Sequence, residues 1–598
     1  MQRRALLALV VLHACRGAQP APTEAGVEAP AKSAAASPAA VSPASPSALA
    51  VSAEPEGPVQ TATKTTEAAP PRGAPRAAKM PPGGPPNAGS PLGTNLALMR
   101  DYTGDWPFVD AFHQARYWIS GSAAAFDDHR ALALDDNGWV KSLEPGQIAR
   151  ALLFKRDGLE IPRGAYVVLY DGKGSLQYSN ARRVESKPGR EVIIPGGPGG
   201  FGVEITATNP QDHLRNIRVI MPGGVCAEDQ FKACGAEAEC GPSGPCLGFE
   251  QNYPAQIFHP TFLAGLKDFS TLRFMEWMNT NKPYSGEWKD RPRPETFSWA
   301  PIGVPAEIMV ELANRLQATP WFNMPHIATD EYIRGFAKIV SERLDPRLPV
   351  YVEYSNEVWN GAFPQARFAL ETGQKRGLGS GREGGIAFYR QRSSETFELW
   401  RREFKKPGRV VRVLASQSGA SDLAAKLLAV PKPRELADVL AIAPYFGYYL
   451  GTERAKSQVL ASTPEQAFAE LKGRALETAK KEMLANAAIA KRAGLTLVAY
   501  EGGQHLVGIG GVENDAAINQ IFEGLNRDPR MKALYLEYLD AWREVGGGLF
   551  VHYAHCVAGS KYGYFGALER PTQARKDAPK YDALLSYIEA HRGPQQKP

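Results

Sequence analysis

Long apolar runs are scarce in this chain. Beyond Ala5 to Leu12, no hydrophobic stretch is long enough to cross a bilayer, so no helical membrane domain is expected. An excess of either charge is also missing. Sixty-nine Lys and Arg stand against 63 Asp and Glu, a net charge of +6 spread over 598 residues. No basic block carries interleaved aromatics, and nucleic acid is not an expected partner. Cysteine is rare, with six in the chain. Aromatic and branched apolar side chains are nearly absent from Arg16 to about Pro91, where Ala, Pro, Ser, Thr and Gly dominate. Such a segment cannot repay its ordering entropy by burial, and a disordered tether is expected over 19–92.

The N-terminus reads as an address. Arg3 and Arg4 precede the short apolar stretch, the pattern of an export signal. Leu12-His13-Ala14-Cys15 is similar to a bacterial lipobox, in which Cys15 becomes the lipidated first residue of the mature chain. An ordinary secretory signal over residues 1–18 is the alternative. Both readings take the protein out of the cytoplasm. It is expected at the outer membrane or cell surface as a lipoprotein, or in the periplasm or medium, with a lipid anchor as its sole membrane contact. Cys226, Cys234, Cys240 and Cys246 lie within 21 residues. In an oxidising compartment they suit two local disulfides with three possible pairings. A zinc site is the rival, but the spacings lack two-residue knuckles. Cys556 is left over and reads as a buried small hydrophobe.

Between 93 and 222 the pattern is short alternating or apolar runs split by Gly, Asp, Asn and Pro, expected as a small β-sandwich. Phe108 to Trp118 looks helical. Over 223–595 helices and strands alternate, with strands expected at Thr271–Glu276, Trp321–Met324, Val350–Tyr354, Val410–Leu414, Val439–Ala443, Leu495–Ala499 and Gly548–His552. The expected fold class is α/β, a (β/α)8 barrel with an N-terminal or inserted β-sandwich. The eighth strand is either Asn216–Met221 or Thr94–Leu98, and the second choice makes the sandwich an insertion.

Two strand ends carry chemistry. Val352-Glu353-Tyr354-Ser355-Asn356-Glu357-Val358-Trp359-Asn360 ends a strand in Asn-Glu, and Leu495 to Glu501 ends another in Glu. Two carboxyl groups on separate strand ends suit general acid and nucleophile roles. Glu353 shares the strand face of Glu357 but lies deeper, so it reads as a paired core carboxylate. His552 and His555 fall on different faces, and neither a metal nor a cofactor is expected.

On Asn356-Glu357 and Glu501 the chain resembles the clan A glycoside hydrolases, (β/α)8 retaining enzymes that include cellulases, mannanases and xylosidases. The resemblance implies Glu357 as acid/base and Glu501 as nucleophile. It implies Arg273, His326 and Tyr445 as their companions and Asn356 as a donor to the sugar. Aromatic platforms are expected among Trp277, Trp299, Trp321, Trp359, Tyr448, Tyr553 and Tyr562. The tryptophan usual at the end of strand eight is replaced here by Phe550-Val551-His552-Tyr553. The expected activity is cleavage of a β-linked oligo- or polysaccharide. A surface sugar-binding lipoprotein without turnover is the alternative.

Overall fold

The computed structural model describes residues 75–593 except 157, 198 and 236. Cys15, the signal segment and the tether up to residue 74 lie outside them. Among the described residues no helix is long and apolar enough to cross a membrane.

Eight parallel strands close into a barrel. They are β1 (Leu92–Asn95), β2 (Thr271–Arg273), β3 (Thr319–Met324), β4 (Val350–Tyr354), β5 (Val410–Ala415), β6 (Val439–Ile442), β7 (Thr496–Ala499) and β8 (Phe550–His552). Of the two candidates for the eighth strand, the chain uses the earlier one. The antiparallel sheets are therefore inserted between β1 and β2, and a boundary at 222/223 does not divide barrel from β region. β1 is Leu-Gly-Thr-Asn. It is short of apolar residues because its neighbours are close. A Cβ on Gly93 would meet the Thr271 carbonyl at 2.7 Å. Asn95 is turned to polar work, donating to the carbonyls of Tyr500 and His552.

The barrel is filled in layers, as side chains alternate along each strand. Trp321, Val413, Val439, Val498 and Val551 pack the interior with Tyr351. Above them the inward positions turn polar: Asn95, Arg273, Asn323 and Glu353, all buried. Amphipathic helices cover the outside. One example is Asp330–Arg343, whose Thr329 cap accepts from the Tyr332 amide and whose first turn carries Asp330 and Glu331.

The insertion holds two four-stranded antiparallel sheets. Ala149, Ala151, Val203 and Ile205 of one share a core with Val168, Ile193, Ile217 and Val219 of the other, which makes a sandwich. Phe108 to Trp118 is not a helix; only a 3-10 turn at Ala111–Gln114 forms. Its carbonyls are taken by tertiary donors instead. Ser298 Oγ donates to His113 and Ala115, and the Trp299 amide also donates to His113.

The expected tether also ends sooner than residue 92. Residues 75–91 are pinned by hydrogen bonds rather than apolar burial. The Arg76 and Ala78 amides donate to Asn252 and Gln256, and buried Asn87 donates to the carbonyls of Phe269 and Leu316. Those carbonyls precede β2 and β3, so this segment lies under the barrel floor.

A three-stranded sheet (Gly224–Cys226, Asp229–Cys234, Cys246–Gly248) follows the sandwich. It is stapled by Cys226–Cys240 and Cys234–Cys246; Cys556 is free and buried. Loops of this size contribute about 3 kcal/mol each by restricting the unfolded chain. Peptide mapping without reductant should return these two pairs and no other. Joint replacement of Cys234 and Cys246 by serine should make the segment 224–248 cleavable by protease at lower denaturant. Equal protection in both proteins would show that the staples are not needed there.

Candidate active site

The C-terminal end of the barrel gathers four acidic residues around one guanidinium. Arg273 ends β2 and is fully buried. Its Nη1 donates to Glu501 Oε1 at 2.8 Å and to Asn95 Oδ1 at 3.1 Å. Its Nη2 donates to Glu353 Oε2 at 3.0 Å and to Asn356 Oδ1 at 2.9 Å. The planar fork thus ties the ends of β1, β4 and β7 to β2. Tyr500 and Trp321 lie against its face, with ring centres 4.9 and 5.6 Å away. The same Glu353 oxygen accepts from Trp321 Nε1 and Asn323 Nδ2 at 2.9 and 2.7 Å, its Oε1 has no partner, and at 1% exposure Glu353 belongs to the core.

Glu501 is fully buried. Its second oxygen accepts from the Tyr445 hydroxyl at 3.0 Å. Burial outweighs the pull of Arg273 and Tyr445, and with the charge of Glu357 adding to it the carboxyl is raised to about 8. Burial lowers the Arg273 guanidinium, but Glu353 and Glu501 outweigh it and raise it. A cation on one oxygen and a hydroxyl donor on the other work for the ionised carboxylate, against burial, which works for the neutral acid.

Glu357 is 5% exposed and is held by neutral groups. Tyr500 donates to Oε1 at 2.8 Å and Asn360 Nδ2 to Oε2 at 2.7 Å. Burial pushes its carboxyl up, against those two hydrogen bonds and the more distant Arg273. The turn that presents it is unusual. Ser355 and Glu357 have φ of 62° and 43°, a left-handed conformation that costs non-glycine residues about 1–2 kcal/mol each. Asn323 Nδ2 fixes this turn by donating to the Ser355 carbonyl at 2.9 Å.

Asn356 lies between the two carboxyls in this network. Its amide donates to Asn281 Oδ1 at 3.1 Å, and Gln365 Nε2 donates to both Asn281 Oδ1 and the Asn356 carbonyl at 2.7 Å. A second amide hydrogen of Asn356 remains to donate. His326 does not take the part of holding Asn356. Its carbonyl accepts from Tyr354, its ring packs on Phe368, and burial lowers its pKa to about 4.

The aromatic expectations divide. Trp277, Trp299 and Trp321 are core, at 2%, 2% and 0% exposure. Trp277 packs on Phe108, Phe262 and Phe274, Trp299 stacks on His113 at 3.6 Å, and Trp321 points inward. None can offer a face to a sugar. Trp359, Tyr445, Tyr448, Tyr553 and Tyr562 are half-buried. Trp359 meets Tyr500 and Tyr389 edge-on. Tyr553 donates to Glu276 at 3.0 Å, and this half-buried fourth carboxyl, pushed up by burial, was not foreseen. Tyr500, Asn360, Asn281 and Gln365 were also missed. Asn360 is three residues after Glu357, a spacing that could have signalled it; Tyr500 reads as a core strand residue and gives no signal.

No protein-family model matches this chain, and no curated protein matches it in sequence. Solved structures are similar at low identity. An endo-β-1,4-mannanase double mutant from Cellulomonas fimi is 10% identical, with 54% of this chain and 63% of the mannanase covered and a TM-score of 0.32. A GH5-4 broad-specificity endoglucanase from Clostridium longisporum is 12% identical, covering 59% of this chain and 89% of that one at a TM-score of 0.35. A 4-O-α-L-rhamnosyl-β-D-glucuronidase from Fusarium oxysporum is 13% identical over 56% and 67%, at 0.34. The barrel is read from its own strand pairing, and no substrate passes to this chain from these neighbours.

The cluster has a stability consequence. Arg273→Met should strand Glu353 and Glu501 in the barrel without their cation, at a cost of about 3–5 kcal/mol. Urea unfolding followed by circular dichroism checks this. A loss below about 1 kcal/mol would mean that water reaches the cluster.

Proposed function

We propose that the protein is a retaining glycoside hydrolase acting on a β-linked oligo- or polysaccharide outside the cytoplasm. One observation carries the reading: two carboxyl groups at the ends of β4 and β7 are held by opposite kinds of partner, Glu501 by a buried cation and Glu357 by neutral donors. An ionised nucleophile beside a protonatable acid is what double displacement at an acetal requires. The export-like N-terminus and two disulfides support the compartment.

In this reading a Glu501 oxygen attacks the anomeric carbon while the bond to the leaving oxygen breaks. The Glu357 proton passes to that oxygen, and a glycosyl ester forms on Glu501. Water then attacks the same carbon, gives its proton to Glu357 and frees the Glu501 carboxylate. Tyr500 suits both halves, because its hydroxyl can donate to the Glu357 carboxylate and accept from the acid. In this reading the remaining amide hydrogen of Asn356, which is fully buried in this structure, donates to a sugar hydroxyl once substrate opens the site, and Tyr445 keeps Glu501 aimed.

The leaving group separates the roles. Glu357→Gln should lower kcat/KM about 10²–10⁴-fold on β-glycosides with an alkyl leaving group, while dinitrophenyl glycosides, which leave without a proton, should be cleaved at close to the wild-type rate of bond cleavage. Glu501→Gln should remove both activities. Equal loss on both substrates in Glu357→Gln, or activity surviving in Glu501→Gln, would refute the assignment. A protein that only binds sugar would hydrolyse neither.

The pH profile follows the same logic. Both carboxyls are raised, so the acid limb of kcat/KM should lie above the ordinary carboxylate range. The alkaline limb should report loss of the Glu357 proton and be missing in Glu357→Gln acting on dinitrophenyl glycosides. An alkaline limb that persists in that variant would assign it to another group.

A further inference from the structure

The proposed reaction uses Glu357 and Glu501, and Glu353 is locked in the core. Glu276 is left over. It lies three residues after Arg273, in the turn that follows β2. Hydrogen bonds fix that turn. The Asn279 amide donates to the Glu276 carbonyl at 3.1 Å and the Thr280 amide to the Met275 carbonyl at 3.2 Å. Thr280 Oγ1 donates to the carbonyl of Asn323 on the neighbouring β3 at 3.2 Å.

The Glu276 side chain reaches from β2 past β1 to the end of β8. Tyr553, the residue after β8, donates to its Oε1 at 3.0 Å. The Tyr553 amide donates to the Gly502 carbonyl at 3.1 Å, so this tyrosine stands beside the residue that follows Glu501. Its ring meets Phe565 edge-on at 5.6 Å, and Tyr445 meets the same phenylalanine at 6.2 Å. Tyr445 in turn donates to Glu501 at 3.0 Å. One phenylalanine thus backs two tyrosines, and each tyrosine holds one carboxyl. These contacts put Glu276 on the Glu501 side of the mouth, and its charge adds to the upward push on Glu501.

Holding Tyr553 does not need a charge. A neutral acceptor serves a hydroxyl equally well, whereas a carboxylate withdrawn from water is costly without a counterion. Among the described residues no Lys, Arg or His forms an ion pair with Glu276. Arg100 draws the carboxyl down from further off, but its own donors go to the carbonyls of Met99 and Ala300 and to Asn279 Oδ1. The mouth therefore keeps a negative acceptor beside the nucleophile that neither the reaction nor the fold requires. Neighbouring hydroxyls of a sugar ring are donors that suit it, since a carboxylate has about four acceptor sites and Tyr553 fills one. A sugar with a carboxylate of its own would meet like charge instead.

We propose that Glu276 is a specificity-determining residue, which accepts from hydroxyls of the sugar unit that becomes joined to Glu501 and rejects units that carry a carboxylate. The proposal rests on the glycosidase reading, which says which unit that is. It restricts the substrate to chains with a neutral sugar at this position.

Calorimetric titration of the full-length protein with isofagomine and with its carboxylate-bearing analogue tests this without turnover. The wild type should bind isofagomine about tenfold more tightly than the analogue. Glu276→Gln should weaken isofagomine binding about tenfold and bring the two affinities to within about threefold of each other. Glu276→Asp keeps the charge and should keep the preference. Tyr553→Phe should keep it too, because the carboxylate remains; a Glu276 that serves only to hold Tyr553 would make this variant behave like Glu276→Gln. Binding of neither compound, no preference in the wild type, or a preference that survives in Glu276→Gln overturns the assignment. Wild-type hydrolysis of dinitrophenyl β-glucoside, β-mannoside and β-xyloside is read in parallel. A preference that Glu276→Gln abolishes, with none of the three hydrolysed, would leave the recognition standing and refute the chemistry. Hydrolysis with the preference unchanged in Glu276→Gln would do the reverse.

Discussion

The Arg273 guanidinium is the constraint on which the rest of the site depends. A charge with no exposure is tolerable only when countercharge and hydrogen-bond partners meet it in place. Four acceptors meet its two terminal nitrogens here, Asn95, Glu353, Asn356 and Glu501, while Nε is left without a partner. They come from β1, β4 and the segments that follow β4 and β7. Removing any one of these strands from register would leave a buried charge short of a partner, so the polar layer enforces barrel closure as well as placing the two glutamates. This explains why a strand as poor in apolar residues as Leu92–Asn95 is retained. Its Asn95 joins Arg273 to the carbonyls of Tyr500 and His552, closing the ring between β7, β8 and β2.

The insertion is bound to the barrel by backbone as much as by side chains. The carbonyls of His113 and Ala115 are bonded to the segment 298–300, and the Phe108, Trp277 and Trp299 rings pack at the junction. Those tryptophans are therefore occupied in holding the two parts together. Burial of this aromatic cluster joins the loop after β2, through Trp277 and Trp299, to the inserted region at Phe108. The pinned segment 75–91 does the corresponding job at the other end, under the floor of the barrel.

Much of this was legible in the chain. Seven barrel strands and the two glutamates could be read because parallel strands are apolar runs bounded by helices, and because strand ends facing the mouth are polar. Five sandwich strands were readable because they are short alternating or apolar runs bounded by turn residues. What could not be read were elements whose sequence does not advertise burial. β1 has Gly93 and Asn95 where a strand pattern wants apolar residues. The strands Gly174–Ser179 and Ala181–Lys187 are largely polar; both are edge strands of their sheets, where polar side chains protect against unwanted pairing. Trp277 and Trp299 were misread as platforms because a tryptophan near a strand end looks the same whether it faces a sugar or a domain junction. Tyr500 was invisible because its role exists only through Glu357, whose left-handed turn no local pattern announces; Asn360 had only its spacing from Glu357 to give it away.

The division of labour between the carboxyls follows from the kinds of partner they have. Desolvation acts on both, so it cannot by itself decide which one keeps a proton. The partners can. At an effective dielectric of about 20, a unit charge about 3 Å away is worth on the order of 5 kcal/mol to an anion, whereas a neutral hydrogen bond contributes about 1 kcal/mol. Glu501 has the guanidinium at 2.8 Å and Tyr445 besides; Glu357 has Tyr500 and Asn360. The partners therefore favour the charge on Glu501 and the proton on Glu357, while burial raises both carboxyls. The mutual repulsion of the two charges reinforces that choice, since a second ionisation must be made against the first. In the proposed reaction this arrangement would reverse: with Glu501 esterified its charge is gone, the repulsion favouring a protonated Glu357 disappears, and Glu357 can act as a base at the step where a base is needed.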